Sequence, residues 1–270
     1  MRRVAAAVTL PGRLEQGLKM QFDLKGRRVV VAGGSRGIGR SIALGFAEAG
    51  AAVSICARGA GPLEATQGEL AAFGGTVHAA SCDLADAAAI AGYIPAAAAA
   101  LGGIDVLVNN ASGFGRGDDE ESWDLSLSVD LMAAVRASRA AMPWLMKGRE
   151  ATIIHISSGS GLNPSVRTPA YGAAKAAVNH YTRTQAAALA KHGIRVNCVA
   201  PGSIEFPGGS WEKRKTDDPK LYNGILASMP AGRLGRPEEV ASVVMFLASS
   251  AAVWVTAQIF SVNGGQGFGR

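Results

Sequence analysis

Cysteine and histidine are scarce in this sequence. Its 270 residues include three cysteines and four histidines. Cys56, Cys82 and Cys198 form no CxxC pair, and no two histidines lie at the spacing of metal ligands, so the sequence predicts no metal site. Cysteines that are few, widely spaced and odd in number are typical of small core residues in a reducing compartment. We therefore expect a cytoplasmic protein.

The chain also lacks a concentrated positive charge of the kind that binds nucleic acid. Its net charge is +6, but residues 1–28 hold seven Lys/Arg against two Asp/Glu, which leaves 20 against 19 for the remainder. Basic residues interleaved with aromatic ones are absent as well. We therefore expect no nucleic-acid partner.

Long hydrophobic runs that could cross a membrane are missing too. Residues 87–104 carry no charge, but they are mostly alanine and are interrupted by glycine and proline, so a helix of a soluble domain is expected there. The apolar run near the N-terminus is short and ends at Pro11, unlike a secretory signal. We expect residues 1–19 to be a poorly ordered extension that precedes the domain, and we expect no membrane partner.

Strand-like and helix-like stretches alternate regularly along the rest of the chain. With 48% hydrophobic residues, this chain can bury a large core. The alternation predicts a single α/β domain over residues 20–270, a Rossmann-type, doubly wound fold with a seven-stranded parallel sheet and helices on both faces. The expected strands begin near Arg27, Ala51, Thr76, Ile104, Ala151, Ile194 and Ala257.

A glycine-rich segment follows the first expected strand and opens the first expected helix. Gly33, Gly37 and Gly39 have the spacing G-x-x-x-G-x-G. Glycines at such a turn let backbone N–H groups and the helix dipole receive a pyrophosphate, which a Cβ would obstruct. The position after a strand therefore predicts a dinucleotide site.

The end of the second expected strand indicates which dinucleotide is preferred. Folds that bind NAD usually place an acidic residue there, against the ribose hydroxyls. This chain has Ala57 and Arg58 instead, and Arg36 lies within the glycine turn. Two guanidinium groups without a carboxylate favour the 2′-phosphate of NADP(H) over NAD(H).

The pentapeptide "YGAAK" places Tyr171 and Lys175 four residues apart. On a helix these side chains share one face, so a phenol and an ammonium can act together in proton transfer. Alone, the pair is weak evidence, because the same spacing also arises by chance on surface helices.

Together, these motifs resemble the short-chain dehydrogenase/reductase family, and the resemblance extends from Leu24 to Gly265. Besides the glycine turn and the Tyr-Lys pair, it is carried by "CDL" with Asp83, "NNAS" from Asn109, "IIHISSGSG", and "PGSI" from Pro201. Members of the family transfer hydride between a nicotinamide cofactor and a carbonyl or alcohol. Members resembling this chain include 3-oxoacyl-carrier-protein reductases.

The resemblance implies that Ser158, Tyr171 and Lys175 are catalytic. In such enzymes the tyrosine exchanges a proton with the substrate oxygen, the lysine favours the phenolate and holds the nicotinamide ribose, and the serine hydrogen-bonds the substrate oxygen. Ser158 is chosen over Ser157 because it lies thirteen residues before Tyr171, the usual family spacing. The resemblance assigns to NADP(H) the residues Gly33, Ser35, Arg36, Gly37, Ile38, Gly39, Arg58, Asp83, Leu84, Asn109, Ala111, Tyr171, Lys175, Pro201, Gly202 and Ile204.

Three positions depart from the family pattern. Asp130 stands where a catalytic asparagine is common, Phe206 replaces a threonine after the P-G turn, and Ser112 replaces a glycine. In related enzymes the backbone carbonyl at the first position holds a water that leads to the lysine, which Asp130 can still do. Its carboxylate, however, lacks the amide donor that would brace the helix.

The substrate is the least determined feature of the sequence. Residues 205–230, which we call the lid segment, stand where the family has a variable substrate lid, and Phe206, Trp211 and Tyr222 are expected to line an apolar pocket. The basic cluster at residues 213–215 is either a site for the phosphate of an acyl carrier or coenzyme A, or a solvated helix face.

Two functions are compatible with these residues. One is an NADP(H)-dependent oxidoreductase that interconverts a carbonyl and a secondary alcohol. Its carbonyl substrate could be a 3-oxoacyl thioester. The other is a catalytically impaired cofactor-binding protein that serves as a sensor or assembly partner, an alternative that the departures at Asp130 and Phe206 keep open. The resemblance further implies a homotetramer, assembled through helices that begin near Glu120 and Thr168 and through the last strand.

Overall fold

The computed structural model describes residues 22–267 and contains one sheet of seven parallel strands. Their order across the sheet is β3-β2-β1-β4-β5-β6-β7. The predicted doubly wound, seven-stranded sheet is thereby confirmed, whereas the expected extension, residues 1–19, lies outside the described residues. The strands are β1 (Arg28–Ala32), β2 (Ala52–Ala57), β3 (Val77–Ser81), β4 (Val106–Asn109), β5 (Thr152–Ile156), β6 (Arg195–Pro201) and β7 (Ile259–Val262).

Helices connect the strands and cover both faces of the sheet. They are α1 (Gly37–Glu48), α2 (Ala60–Ala71), α3 (Ala87–Leu101), α4 (Glu120–Leu125), α5 (Ala133–Leu145), α6 (Pro169–Leu189), α7 (Ser210–Asp217), α8 (Pro219–Ala227) and α9 (Pro237–Ala248). In β1, Val29 and Val31 join a core cluster with α1 and α9, whereas Val30 and Ala32 join a second cluster with α3 and α5. Because a strand alternates its side chains, burial on both faces requires a continuous apolar run.

The uncharged alanine-rich stretch forms α3, a helix of the domain. The Asp86 carboxylate accepts a hydrogen bond from the Ala88 N–H at 2.8 Å, and Gly102 ends the helix in the left-handed region. Ile90 and Ile94 are fully covered by the core. Across residues 22–267, no helix combines the length and the apolar character needed to cross a membrane.

The helix expected from Glu120 is not uniform. Between α4 and α5, residues Ser126–Met132 are wound as a π-helix, which we call the π segment. A π-helical turn is rare and is found mostly at functional sites. The π segment contains Asp130, so the irregular winding coincides with the unusual residue of the sequence.

The turn between β1 and α1 is too tightly packed for a side chain at Gly39. A Cβ at this position would lie 2.0 Å from the Gly33 backbone oxygen and 2.4 Å from Nδ2 of Asn110. Asn110 Nδ2 itself donates a hydrogen bond to that oxygen at 2.7 Å. The glycine therefore lets α1 begin directly over the end of β1.

We predict that Gly39→Ala lowers the free energy of unfolding by about 1–3 kcal/mol, because the added methyl group must displace backbone atoms. The measurement is urea denaturation of the purified variant. The matched control is Gly68→Ala in α2, where a Cβ meets nothing within 4 Å. The control should stabilise the protein by about 0.5–1 kcal/mol, as expected for an exposed helix position. Equal stability of the two variants would contradict the packing described here.

Candidate active site

The residues assigned to catalysis lie at the edge of the sheet where the parallel strands end. Ser158 follows β5, Asn109 ends β4 and Pro201 ends β6, while Tyr171 and Lys175 lie on α6. The chain runs from β1 to β2 on one side, but β4 lies on the other side of β1, so the strand order reverses there. In parallel α/β sheets, ligands bind in the crevice at such a reversal.

Helix α6 brings Tyr171 and Lys175 to one face. Both side chains are buried, and Lys175 Nζ lies 5.6 Å from the centroid of the Tyr171 ring. Pro169 is the first residue of the helix, a position that suits proline. The spacing in the sequence therefore produces the shared face that it predicts.

Lys175 is a buried cation with two oxygen neighbours. Its ammonium donates a hydrogen bond to the backbone oxygen of Ile156 at 2.9 Å, and it lies 3.2 Å from Oδ1 of Asp130. Burial opposes the charged form, but the nearby Asp130 carboxylate, together with Tyr171 and Cys198, raises the pKa of Lys175 above its usual value. Lys175 is therefore protonated at neutral pH, with three donors for these two oxygens and a further partner.

Asp130 has neighbours on both sides of its carboxylate. The residue is 2% exposed. Its Oδ2 accepts hydrogen bonds from the N–H groups of Gly113 at 3.1 Å and Phe114 at 3.2 Å, in the loop after β4. We expected the missing amide donor to weaken the bracing of the helix, but the carboxylate joins the π segment to this loop by accepting hydrogen bonds.

The two neighbouring serines have different surroundings. Ser157 is buried, and its hydroxyl donates to the backbone oxygen of Lys175 at 3.1 Å. Ser158 is half-buried, and its Oγ accepts a hydrogen bond from the N–H of Ser160 at 3.1 Å. Ser158 therefore keeps its hydroxyl proton for another acceptor, whereas Ser157 fastens α6 to β5.

Phe114 is part of the site, although the sequence analysis did not single it out. Its ring packs edge-on against Tyr171 with the centroids 4.9 Å apart, and its φ of 55° lies in the left-handed region. Such a backbone conformation is uncommon for a bulky residue and clusters at functional sites. The signal in the sequence is an aromatic residue between Gly113 and Gly115, directly after the "NNAS" motif.

The turn between β1 and α1 fits the pyrophosphate of a dinucleotide. Helix α1 begins at Gly37, and Arg36 before it provides no side-chain cap, so the first N–H groups of the helix can receive an anion. The ring of Phe206 lies against this turn, since a Cβ at Gly37 would be 2.5 Å from it. Phe206, which stands where the family has a threonine, thus contacts the glycine turn with its ring.

The other residues assigned to the cofactor differ in exposure. Arg36 and Arg58 are exposed, and within residues 22–267 neither forms an ion pair. Asp83 is exposed, whereas Leu84 belongs to the core. Asn109 donates its side-chain N–H to Ser138 Oγ at 3.2 Å in a buried network. The other residues assigned to the cofactor lie near the ends of strands. Ser35 and Ile38 lie at the turn after β1, Ala111 lies against Gly33, and Gly202 and Ile204 follow β6.

The lid segment contains α7 and α8, whose aromatic and basic side chains pack together. Arg214 lies over Trp211 at 4.7 Å, and Lys215 lies 5.4 Å from the centroid of the Tyr222 ring. Lys215 also forms an ion pair with Glu205. A cation therefore lies over each ring, and the expectation that Trp211 and Tyr222 line an apolar pocket stays a prediction.

Arg214 of the lid segment lies near two further arginines, Arg116 and Arg167. Burial lowers the pKa of Arg214, and the charges of Arg116 and Arg167 lower it further. Arg116 also lies over the Phe114 ring, 5.4 Å from its centroid. Within the described part of the chain, none of the three forms an ion pair. We call these residues the arginine group.

Comparison with known proteins agrees with this geometry. The family model described as enoyl-(acyl carrier protein) reductase matches residues 32–266. The chain is 35% identical over 249 residues to the (2S)-[(R)-hydroxy(phenyl)methyl]succinyl-CoA dehydrogenase subunit BbsD of Thauera aromatica, covering 91% of this chain and 98% of that one. It is 36% identical over 249 residues to the 3-oxoacyl-[acyl-carrier-protein] reductase FabG of Vibrio cholerae, covering 90% and 98%.

A solved structure shows the same architecture. L-Sorbose reductase from Gluconobacter frateurii, complexed with NADPH and L-sorbose, superposes with a TM-score of 0.84 at 32% identity, covering 92% of this chain and 98% of that one. The sequence and the fold of this chain thus match those of known proteins over nearly its whole length. The chain therefore belongs to the short-chain dehydrogenase/reductase family of oxidoreductases.

Proposed function

We propose that the protein is an NADP(H)-dependent oxidoreductase that interconverts a carbonyl and a secondary alcohol. The observation that carries this proposal is the buried pair of Tyr171 and Lys175 at the strand ends, beside a glycine turn that fits a pyrophosphate. When bound, the nicotinamide supplies or accepts the hydride. The protein residues bind and orient the reactants and move the proton.

Tyr171 is the proposed proton donor in reduction and proton acceptor in oxidation. The positive charge of Lys175 stabilises the phenolate, and its ammonium has further donors besides the one that binds the Ile156 oxygen. Ser158 has a free hydroxyl proton, with which it can stabilise negative charge on the substrate oxygen. These roles agree with the burial and hydrogen bonding of the three side chains.

We predict that Tyr171→Phe lowers kcat by about a hundredfold or more, because the ring is kept but the transferable proton is lost. Cofactor affinity should stay within about threefold of the parent. The measurement is the absorbance change of NADPH with a reducible carbonyl compound. Tyr181→Phe is the matched control, since Tyr181 lies on the same helix but packs against His155. Turnover of Tyr171→Phe within threefold of the parent would contradict the assignment.

The preference for NADP(H) is proposed from charge. Arg36 and Arg58 are exposed guanidinium groups near the glycine turn, and the end of β2 offers Ala57 instead of a carboxylate. Guanidinium groups bind phosphate through paired hydrogen bonds, whereas ribose hydroxyls need an acceptor. These charges support the proposal that both arginines bind the 2′-phosphate.

We predict that NADPH binds at least about tenfold more tightly than NADH, because each charge-assisted contact contributes roughly 1.5–3 kcal/mol before desolvation. Ala57→Asp combined with Arg58→Leu should reverse the preference. The measurement is fluorescence titration with both cofactors. Arg40→Leu is the control for a general loss of charge, since Arg40 is already paired with Glu69 and should leave the ratio unchanged. Equal affinities in the parent, or tighter NADH, would refute the proposal.

The proposed substrate is a 3-oxoacyl thioester with an anionic carrier. Arg116 lies over the Phe114 ring, which contacts Tyr171, and Arg214 is near enough to Arg116 and Arg167 to interact with their charges. Unpaired guanidinium groups of this kind favour a phosphate or carboxylate on the substrate. Two of the relatives are named for substrates of this kind, a succinyl-CoA and a 3-oxoacyl carrier protein. The carrier would lie along the lid segment, with the carbonyl directed towards Tyr171.

We predict that acetoacetyl-CoA is reduced with a kcat/KM at least about tenfold higher than ethyl acetoacetate, because the ester lacks phosphate groups for the arginine group. Arg214→Gln should lower kcat/KM for the thioester by about fivefold or more and leave the ester unchanged. Lys220→Gln in α8 is the control, since it removes an exposed charge outside the arginine group. An equal effect of Arg214→Gln on both substrates would contradict the proposed carrier site.

A further inference from the structure

Asp130 has a carboxylate on which only hydrogen-bond donors converge. Oδ1 faces the Lys175 ammonium at 3.2 Å, and Oδ2 accepts from the N–H groups of Gly113 and Phe114 at 3.1 and 3.2 Å. Two of these neighbours are backbone N–H groups with fixed directions, and the ammonium is held in place by its hydrogen bond to the Ile156 oxygen. The residue at this position must therefore offer an acceptor on both sides.

An asparagine cannot satisfy these neighbours. Its side chain has one oxygen that accepts and one NH₂ group that donates, so one side would bring two donors face to face. A buried donor without an acceptor is unfavourable. The surroundings of Asp130 are thus built for a carboxylate, and the departure from the family residue is matched by its contacts.

The same carboxylate connects Lys175 to the residue that packs on Tyr171. The backbone N–H of Phe114 donates a hydrogen bond to Oδ2 of Asp130, and the Phe114 ring lies edge-on against the phenol with the centroids 4.9 Å apart. The left-handed φ of Phe114, 55°, needs support of this kind. Asp130 therefore contacts two residues that neighbour Tyr171, namely Lys175 and Phe114.

Asp130 is also the charged partner of Lys175. The ionisable groups that interact with this ammonium are Asp130 from the π segment, Tyr171 from its own helix, His155 from β5 and Cys198 from β6. Burial lowers the pKa of His155 to about 4 and raises the pKa of Cys198 to about 11, so both are neutral at pH 7. Among these groups, Asp130 supplies the balancing negative charge.

We propose that Asp130 is a positioning residue that holds Lys175 and Phe114 in place and sets the pH at which Tyr171 exchanges its proton. This proposal rests on the proposed role of Tyr171 in proton transfer. The direction of the expected shift follows from the charges of Lys175 and Asp130. The Lys175 ammonium favours the phenolate, and the Asp130 carboxylate cancels part of that effect. Removing the carboxylate should therefore shift the titration of Tyr171 to lower pH.

The experiment is a pH titration of protein labelled with ¹³C at the phenolic carbon of tyrosine, followed by NMR. The chain has four tyrosines, and Tyr171→Phe identifies the signal of interest. We expect Asp130→Asn to lower its titration midpoint by about one pH unit, as for the loss of one nearby charge. Asp130→Ser removes the same charge from a smaller side chain and provides the test if the asparagine variant does not fold.

Two controls separate this effect from a general change of structure. Asp130→Glu keeps the charge and should stay closer to the parent midpoint than Asp130→Asn. Asp105→Asn removes another buried carboxylate, one paired with Arg28 at the opposite end of β4, and should leave the Tyr171 signal unchanged. The proposal is overturned if the titration midpoint of Tyr171 is unchanged or higher in both Asp130→Asn and Asp130→Ser.

The titration also separates this proposal from the proposed function. It needs neither cofactor nor substrate, so an inactive parent would refute the reductase assignment while the Asp130 effect could still be measured. In an active parent, the pH midpoint of alcohol oxidation should fall by the same amount in Asp130→Asn. A fall in activity at all pH values without a shift in the NMR midpoint would show a structural role only, and would overturn the proposal.

Discussion

Burial of the Lys175 ammonium is the interaction on which the site depends. A buried charge is strongly unfavourable unless nearby groups compensate it. Here the compensation comes from the Ile156 oxygen at the end of β5 and from the Asp130 carboxylate in the π segment. Lys175, Ile156 and Asp130 belong to three different elements. The charge can therefore be buried only where a strand end, the π segment and α6 meet. That meeting point is also where Tyr171 lies.

Further hydrogen bonds hold α6 in the position that this charge requires. Ser157 Oγ donates to the Lys175 backbone oxygen at 3.1 Å, and Asn179 Nδ2 donates to the Gly161 oxygen at 2.9 Å. One bond joins the helix to the end of β5, and the other joins it to the loop that follows. Since Ser158 lies between these two attachments, its hydroxyl is placed by contacts that do not use it. A side chain whose neighbours are fixed in this way loses little freedom when it binds a ligand.

The features predicted from the sequence are those that depend on local spacing. Strand β1 reads as a continuous apolar run because both of its faces are buried, and Tyr171 and Lys175 share a face because four residues make about one helical turn. The pairing of Lys175 with Asp130 could not be predicted in this way. The two residues lie far apart in the chain, and the spacing of polar residues does not indicate which elements meet. Asp130 appeared only as a departure from a family pattern.

The same limit applies to Phe114 and to the lid segment. The conformation of Phe114 is set by hydrogen bonds to Asp130, so the short sequence around it shows only an aromatic residue between glycines. In the lid segment, the sequence predicts an apolar pocket at Trp211 and Tyr222, but it does not show the cations over their rings. Arg214 and Lys215 lie over these rings because long basic side chains can cover apolar surface while keeping their charge near water.

The distribution of charge separates positioning from binding in this molecule. The buried charge of Lys175 is balanced within the protein, so its field acts on Tyr171 without attracting a counter-ion into the core. The arginines near the glycine turn and in the arginine group form no ion pair within the described residues. An unpaired guanidinium at a surface gains most from an anion that arrives with a ligand. Paired charge therefore fixes the position of Lys175 beside Tyr171, and unpaired charge is left at the arginines, where an anionic ligand could use it.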